Sequence, residues 1–128
     1  MVEIGIKGEA EVVVDNTNTA AAMRSGAQNV FATPYLVALI EEAAFNSVVP
    51  YLEEGQGTVG TAVNIKHLAA TPIGMKVTAK TTLTEIDRRR LVFMAEVFDE
   101  KGKVGEGTHE RFIINAASFQ AKAENKNG

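Results

Sequence analysis

The hydrophobic pattern of the chain is strand-like at the start, helix-like in the middle and strand-like again over the second half. Residues 9–14 (EAEVVV) end in β-branched side chains and lead into the turn-forming residues 15–18, which predicts a first strand and a loop. Alternation of apolar and polar residues with period two returns later in four segments bounded by turn residues, namely 58–70, 75–86, 90–99 and 103–115. Five strands are therefore expected.

The clearest predicted element is a long helix over about residues 34–52. Thr33 is a favourable N-cap residue, and Pro34 suits the first helical position because its φ is fixed and it lacks an N–H. Apolar residues follow the 3.6-residue period but also occupy the flanks. A helix of roughly 25 Å that is apolar on most sides is expected to be a central helix wrapped by the other elements.

The connections between the last four strands are short, at residues 71–74, 87–89 and 100–103. A parallel crossover needs a dozen or more residues, so these strands are expected to form an antiparallel meander. The prediction is a single α+β domain over residues 1–128, with one long helix held by a five-stranded antiparallel sheet. Long exposed strand edges favour self-association, which predicts a homodimer formed through edge strands or the helix.

Composition narrows the function classes. The 128 residues include no cysteine, which excludes disulfides, thiolate nucleophiles and Cys-built metal sites. A net charge of −3 and 6% aromatic residues argue against nucleic-acid binding. No apolar run is long enough to span a membrane, and the first ten residues lack the apolar middle of a secretion signal, so a cytoplasmic location is expected.

Acidic residues in the helix and a histidine in a strand are the first candidates for chemistry. Glu41 and Glu42 occur in the middle of the most apolar segment, where an ionised carboxylate is costly unless it is paired or faces a cavity. His67 alternates with Val63 and Ile65, so its ring is expected to face the helix. A carboxylate opposite an imidazole suits general acid–base chemistry. The alternatives are glutamates that reach solvent or meet a basic partner, and a hydrogen-bonded core histidine.

Other polar motifs carry weaker signals. Gly60 leaves a gap in its strand where a backbone or a ligand can pass, unless it only relieves twist. Residues 88–90 are three arginines at a predicted hairpin tip, either solvated or in contact with a substrate phosphate. The glycines before His109 do not complete a dinucleotide-binding motif, and the two histidines lack the spacing of a metal site.

Several segments taken together resemble the fluoroacetyl-CoA thioesterase-like branch of the hotdog-fold thioesterases. The resemblance covers roughly residues 28 to 115 and depends on the order and spacing of the segments rather than on any one of them. The matching residues are Val30 to Pro34, Glu41, Pro50 to Glu53, Gly60 to Ala62, His67, Ala69 to Pro72, Gly74, Arg89 to Leu91, and Gly107 to Arg111.

The resemblance implies a dimeric hotdog fold and hydrolysis of a short-chain acyl-CoA thioester without cofactor or metal. The positions of that branch's catalytic residues are taken by Thr33, Glu41 and His67, and substrate-contacting positions by Gly60 and Arg111, with Arg89 as a further substrate-binding candidate. An unbroken helix would separate Thr33 from Glu41 by about 12 Å. Either the chain folds back at Thr33, or two protomers share the site.

The sequence departs from the branch in one place that concerns the substrate. Residues 22–26 contain no phenylalanine, whereas the resemblance leads us to expect a phenylalanine-rich lid there, so fluoroacetate resistance is not expected. The alternatives to a thioesterase are a non-catalytic acyl-CoA-binding hotdog protein and a hotdog hydratase or dehydratase.

Overall fold

The computed structural model describes all 128 residues and contains one five-stranded antiparallel sheet and one long helix. Its elements are β1 (Lys7–Val13), α1 (Thr33–Val48), a 3-10 turn (Val49–Tyr51), β2 (Gln56–His67), β3 (Lys76–Asp87), β4 (Arg90–Phe98), β5 (Lys103–Asn115), α2 (Ala116–Glu124) and a last 3-10 turn (Asn125–Asn127). The order of strands across the sheet is β1-β3-β4-β5-β2.

Helix α1 differs from its prediction at both ends. The N-cap residue is Ala32, and no side chain caps the helix, so the prediction of Thr33 as the cap is wrong. Thr33 is the first helical residue, and its hydroxyl is engaged elsewhere. The α-helix ends at Val48 rather than near Leu52, because Pro50 has no N–H to continue the hydrogen-bond pattern and the chain tightens into the 3-10 turn.

The predicted four-strand meander is also wrong in part, because β2 does not pair with β3. Strands β3, β4 and β5 are consecutive neighbours, but β2 pairs only with β5, at the opposite edge from β1. The segment from β2 to β3 instead runs beside other parts of the chain. Thr71 accepts a hydrogen bond from the N–H of Phe31 at 2.8 Å, and Gly74 donates one to Val14 at 2.8 Å.

The core lies between α1 and one face of the sheet, and α1 contacts all five strands. Buried residues alternate with less buried ones throughout β4 and in β3 as far as Leu83, where the register shifts, as expected for strands with one covered face. The helix buries six apolar residues, which are Leu36, Leu39, Ile40, Ala43, Ala44 and Val48. None of the helices has both the length and the apolarity required to cross a bilayer.

Candidate active site

Thr33 and His67 form the first polar cluster, at the start of α1. Thr33 is the first residue of the helix and His67 is the last residue of β2. The hydroxyl Oγ1 of Thr33 lies 2.7 Å from Nδ1 of His67. The hydroxyl is therefore hydrogen-bonded to the imidazole rather than to the helix backbone.

The imidazole of His67 has one nitrogen without a partner. The ring is half-buried, and burial lowers the pKa of His67, opposed by the nearby Ala69 backbone. Its Nε2 atom is buried and unpaired. Thr33 and His67 both line an open groove of about 350 Å³, whose other walls include Ala20, Val30 and Ala70. A neutral imidazole with a free nitrogen beside an apolar groove can exchange a proton with a bound molecule.

Glu41, His109 and Arg111 form the second cluster, around Gly60. A Cβ atom at position 60 would lie 2.7 Å from Oε2 of Glu41, 3.2 Å from Cε1 of His109 and 3.3 Å from Nη1 of Arg111. The gap that the sequence predicted at Gly60 is therefore filled by the Glu41 carboxylate and the two basic side chains. Any larger residue at this position would displace the carboxylate.

Arg111 is held in place by several hydrogen bonds. Its Nε donates to Oγ1 of Thr58 at 2.9 Å, its Nη2 donates to the Thr58 carbonyl at 3.0 Å, and its Nη1 lies 3.1 Å from Nε2 of His109. The guanidinium also lies 5.6 Å from the ring centre of Phe45. Arg111 is 6% exposed, and burial lowers its pKa, opposed by Glu41.

The two clusters are separate within one protomer. Helix α1 is continuous from Thr33 to Val48, so the chain does not fold back at Thr33, and Glu41 lies about 12 Å further along the axis. Gly60 and His67 are seven residues apart in β2, or roughly 23 Å in extended chain. The imidazole next to Glu41 in its own protomer is therefore His109, not His67. Glu42 is exposed to solvent.

Arg89 lies at the hairpin between β3 and β4, at the end of the sheet near Arg111. Arg90 pairs with Phe112 in the sheet register and Leu91 pairs with Arg111. Arg90 is bound by Glu85 and Glu110, both at 2.8 Å. Arg89 and its neighbour Arg88 are both exposed, and neither belongs to an ion pair. The φ of Arg88 is 59°.

His109 is the polar residue of this site that the sequence analysis did not select. The sequence around it argues against nucleotide and metal binding and indicates no other role. The signal was present in the alternation of β5, since His109 and Arg111 are two residues apart and therefore share one face of the strand. That face is the buried one, where His109 is 1% exposed.

Several known proteins are similar to this chain in both sequence and fold. A fluoroacetyl-CoA thioesterase of Streptantibioticus cattleyicolor is 42% identical over 97 residues, covering 76% of this chain and 70% of that protein. The crystal structure of a variant of the fluoroacetyl-CoA-specific thioesterase FlK, in complex with fluoroacetate and CoA, has a TM-score of 0.86 at 35% identity and covers 92% of this chain and 99% of that one. A thioesterase superfamily member from Thermus thermophilus has a TM-score of 0.91 at 27% identity, covering 99% and 94%.

Fold and relatives together define an acyl-CoA thioesterase of the hotdog fold. The chain belongs to the family described as fluoroacetyl-CoA-specific thioesterase, which matches residues 14–117. The predicted hotdog fold, thioesterase class and family resemblance are confirmed. The roles of Thr33, Glu41, His67, Gly60, Arg111 and Arg89 stay predictions.

Proposed function

We propose that this protein hydrolyses short-chain acyl-CoA thioesters at a site built by two copies of the chain, with Thr33 and His67 from one and Glu41 from the other. The observation that carries the proposal is the 2.7 Å contact between Thr33 and His67, in which a hydroxyl at a helix start is bound by an imidazole instead of capping the helix. Family membership supports the reaction class.

The chemistry divides among three side chains. The Glu41 carboxylate either takes a proton from the attacking water, or attacks the thioester carbonyl itself and forms a mixed anhydride that water then hydrolyses. On both routes the carbon–sulfur bond breaks. The neutral His67 ring takes up a proton at its unpaired Nε2, from the attacking water by way of Glu41 or from solvent, and gives it to the sulfur, so that CoA leaves as the neutral thiol. Thr33 orients the imidazole through its hydroxyl. Backbone N–H groups at the start of α1 or near Gly60 would stabilise the developing oxyanion.

The edge strand β2 supports the proposed dimer. Its free side has no strand partner, although it is 12 residues long. Residues 60–64, in its middle, are exposed on both faces, whereas β3 alternates between buried and exposed residues. A long uncovered edge is a site for strand pairing, and a second copy of the same strand can pair with it antiparallel about a two-fold axis.

Exposed apolar side chains beside that edge support the same interface. Phe45 on α1 is 41% exposed, and Val63 on β2 is 47% exposed. Val49 and Tyr51, which follow the helix, are exposed as well. Exposed apolar side chains on both β2 and α1 are what a hydrophobic dimer interface requires. In such an antiparallel arrangement, the Glu41 of one copy can approach the Thr33–His67 pair of the other.

Features around the two clusters support a short acyl group on CoA. The groove beside His67 is lined by small apolar residues such as Ala20 and Ala70, which leave room for a short chain. The free cations Arg88 and Arg89 lie at the sheet end near Arg111 and suit the phosphates of the CoA nucleotide. The turn segment over residues 22–26 contains no aromatic side chain, so we do not extend the fluoroacetyl preference of the relatives to this protein.

A panel of acyl-CoA esters tests this function. Thiol release should be fastest with short acyl chains, and the matching acyl-pantetheine, which lacks the nucleotide, should show a raised KM because Arg88 and Arg89 lose their phosphate partners. Binding of CoA esters without turnover would instead indicate a non-catalytic binder. Water addition to an enoyl-CoA without thiol release would indicate a hydratase. The cytoplasmic location expected from the sequence stays a prediction.

A further inference from the structure

His109 is the most enclosed titratable side chain near the proposed site, yet no step described above uses it. It lies on β5, is 1% exposed and packs against Phe93 on β4, with ring centres 6.2 Å apart and a 28° angle between the planes. Gly60 on β2 covers another part of the ring. Burying a polar ring costs folding free energy unless its nitrogens form hydrogen bonds.

Both ring nitrogens of His109 have partners, and these partners define its chemical state. Nδ1 lies 2.8 Å from the Ala62 carbonyl, which only accepts, so Nδ1 must carry the proton and donate. Nε2 lies 3.1 Å from Nη1 of Arg111, which only donates, so Nε2 must be unprotonated and accept. The ring is therefore neutral, as one defined tautomer, between a carbonyl and a cation.

This tautomer completes the hydrogen bonding that fixes Arg111. Thr58 accepts two hydrogen bonds from the guanidinium, which restrain one side of it. The bond to His109 restrains Nη1, the nitrogen that lies 3.3 Å from the position of a Cβ at Gly60. Oε2 of Glu41 lies 2.7 Å from the same position. The His109 contact thus sets which way the cation faces relative to the carboxylate.

We propose that His109 is a positioning residue for the thioesterase reaction, a neutral imidazole that holds the guanidinium of Arg111 in place beside Gly60, on the side where the Glu41 carboxylate lies. The proposal rests on the proposed function, because it takes Arg111 as the substrate-binding residue that the family resemblance implies. His109 acts through Arg111 and touches no reacting atom. Protonation of Nε2 would place two donors against each other and release the guanidinium.

The charged groups around His109 give the direction of its pH dependence. Burial lowers the pKa of His109 most, Arg111 lowers it further, and the Ala62 hydrogen bond and the carboxylates Glu41 and Glu110 oppose this. Phe93 and the facing β2 residues carry no charge. The ring is consequently neutral at pH 7. It becomes charged only when the pH falls below 6.5, the ordinary pKa of histidine. Substrate binding should weaken in that acidic range.

His109→Phe and His109→Gln test the proposal through kinetics. Phenylalanine keeps the ring volume but cannot accept from Arg111, so KM should rise about 10- to 100-fold, the usual effect of losing a hydrogen bond to a charged group. Glutamine offers an amide oxygen to Arg111, so it should restore most of the affinity and remove the acidic rise in KM. Phe93→Leu is the matched packing control, expected to lower thermal stability with KM nearly unchanged.

A second measurement needs no turnover and therefore separates this proposal from the proposed function. Nitrogen-15 NMR of the wild type at pH 7 should find His109 protonated at Nδ1 and unprotonated at Nε2, and the Arg111 guanidinium in slow rotation. Faster rotation of Arg111 is expected in His109→Phe. A protonated Nε2, unchanged Arg111 rotation, or an equal rise in KM for Phe93→Leu would overturn the positioning role, whether or not thioesters are hydrolysed.

Discussion

Replacing Glu41 with glutamine should lower kcat by roughly 10²–10⁴-fold, the usual effect of removing an acid–base group. Glutamine has nearly the same size as glutamate, so it still fits beside Gly60, where the absence of a Cβ leaves room for the side chain. It can neither attack a carbonyl nor remove a proton from water. The measurement is steady-state thiol release with the best substrate of the acyl-CoA panel.

Glu42→Gln provides the matched control for this variant. Glu42 is the next residue of the same helix, and its side chain is exposed. Replacing it with glutamine removes the same negative charge as Glu41→Gln does. Its kcat should stay within about twofold of the wild type, as for most surface substitutions. Equal losses in the two variants would mean that helix charge rather than the Glu41 carboxylate matters, and an unchanged rate in Glu41→Gln would remove Glu41 from the mechanism.

Replacing His67 with alanine should lower kcat by about 10²–10⁴-fold as well, because the proton donor to the leaving thiol is lost. The contact with Thr33 breaks at the same time, so Thr33→Ala, which leaves the imidazole in place, should have a smaller effect. Equal activity of His67→Ala and the wild type would show that another group protonates the thiol.

The pH profile gives a second measure of His67. Burial lowers the pKa of His67 below its ordinary value of 6.5, so the ring is neutral at pH 7 and gains charge as the pH falls. A charged ring already has a proton on both nitrogens, so Nε2 can no longer take one up. We expect kcat to decrease as the pH falls through this lowered pKa, and His67→Ala to lack that decrease.

Local sequence signals predicted the elements better than their arrangement. The five strands and the helix lie near the predicted ranges, because alternation and helical periodicity depend on neighbouring residues. Such local signals did not predict the position of β2 at the edge of the sheet beside β5. Residues 71–74 have the composition of a hairpin turn, but they hydrogen-bond with the segments around Val14 and Phe31, and the chain crosses to the other edge of the sheet.

The candidate site shows the same limit. Glu41 was selected because a carboxylate in an apolar helix is costly, and Gly60 because it leaves a gap, yet only the fold brings the two together. His67 faces the start of α1 as its alternation predicted, but its partner is Thr33 rather than a glutamate. Distances along a continuous helix and strand then separate His67 from Glu41, which a linear pattern does not reveal.

A mixed dimer tests most directly whether two copies share the site. Glu41→Gln and His67→Ala chains, each inactive alone, are co-expressed with different tags and the heterodimer is purified through both. One of its two sites would combine the intact Thr33–His67 pair of the first chain with the intact Glu41 of the second, so about half of the wild-type activity should return. A pure heterodimer as inactive as its parents would contradict the shared site.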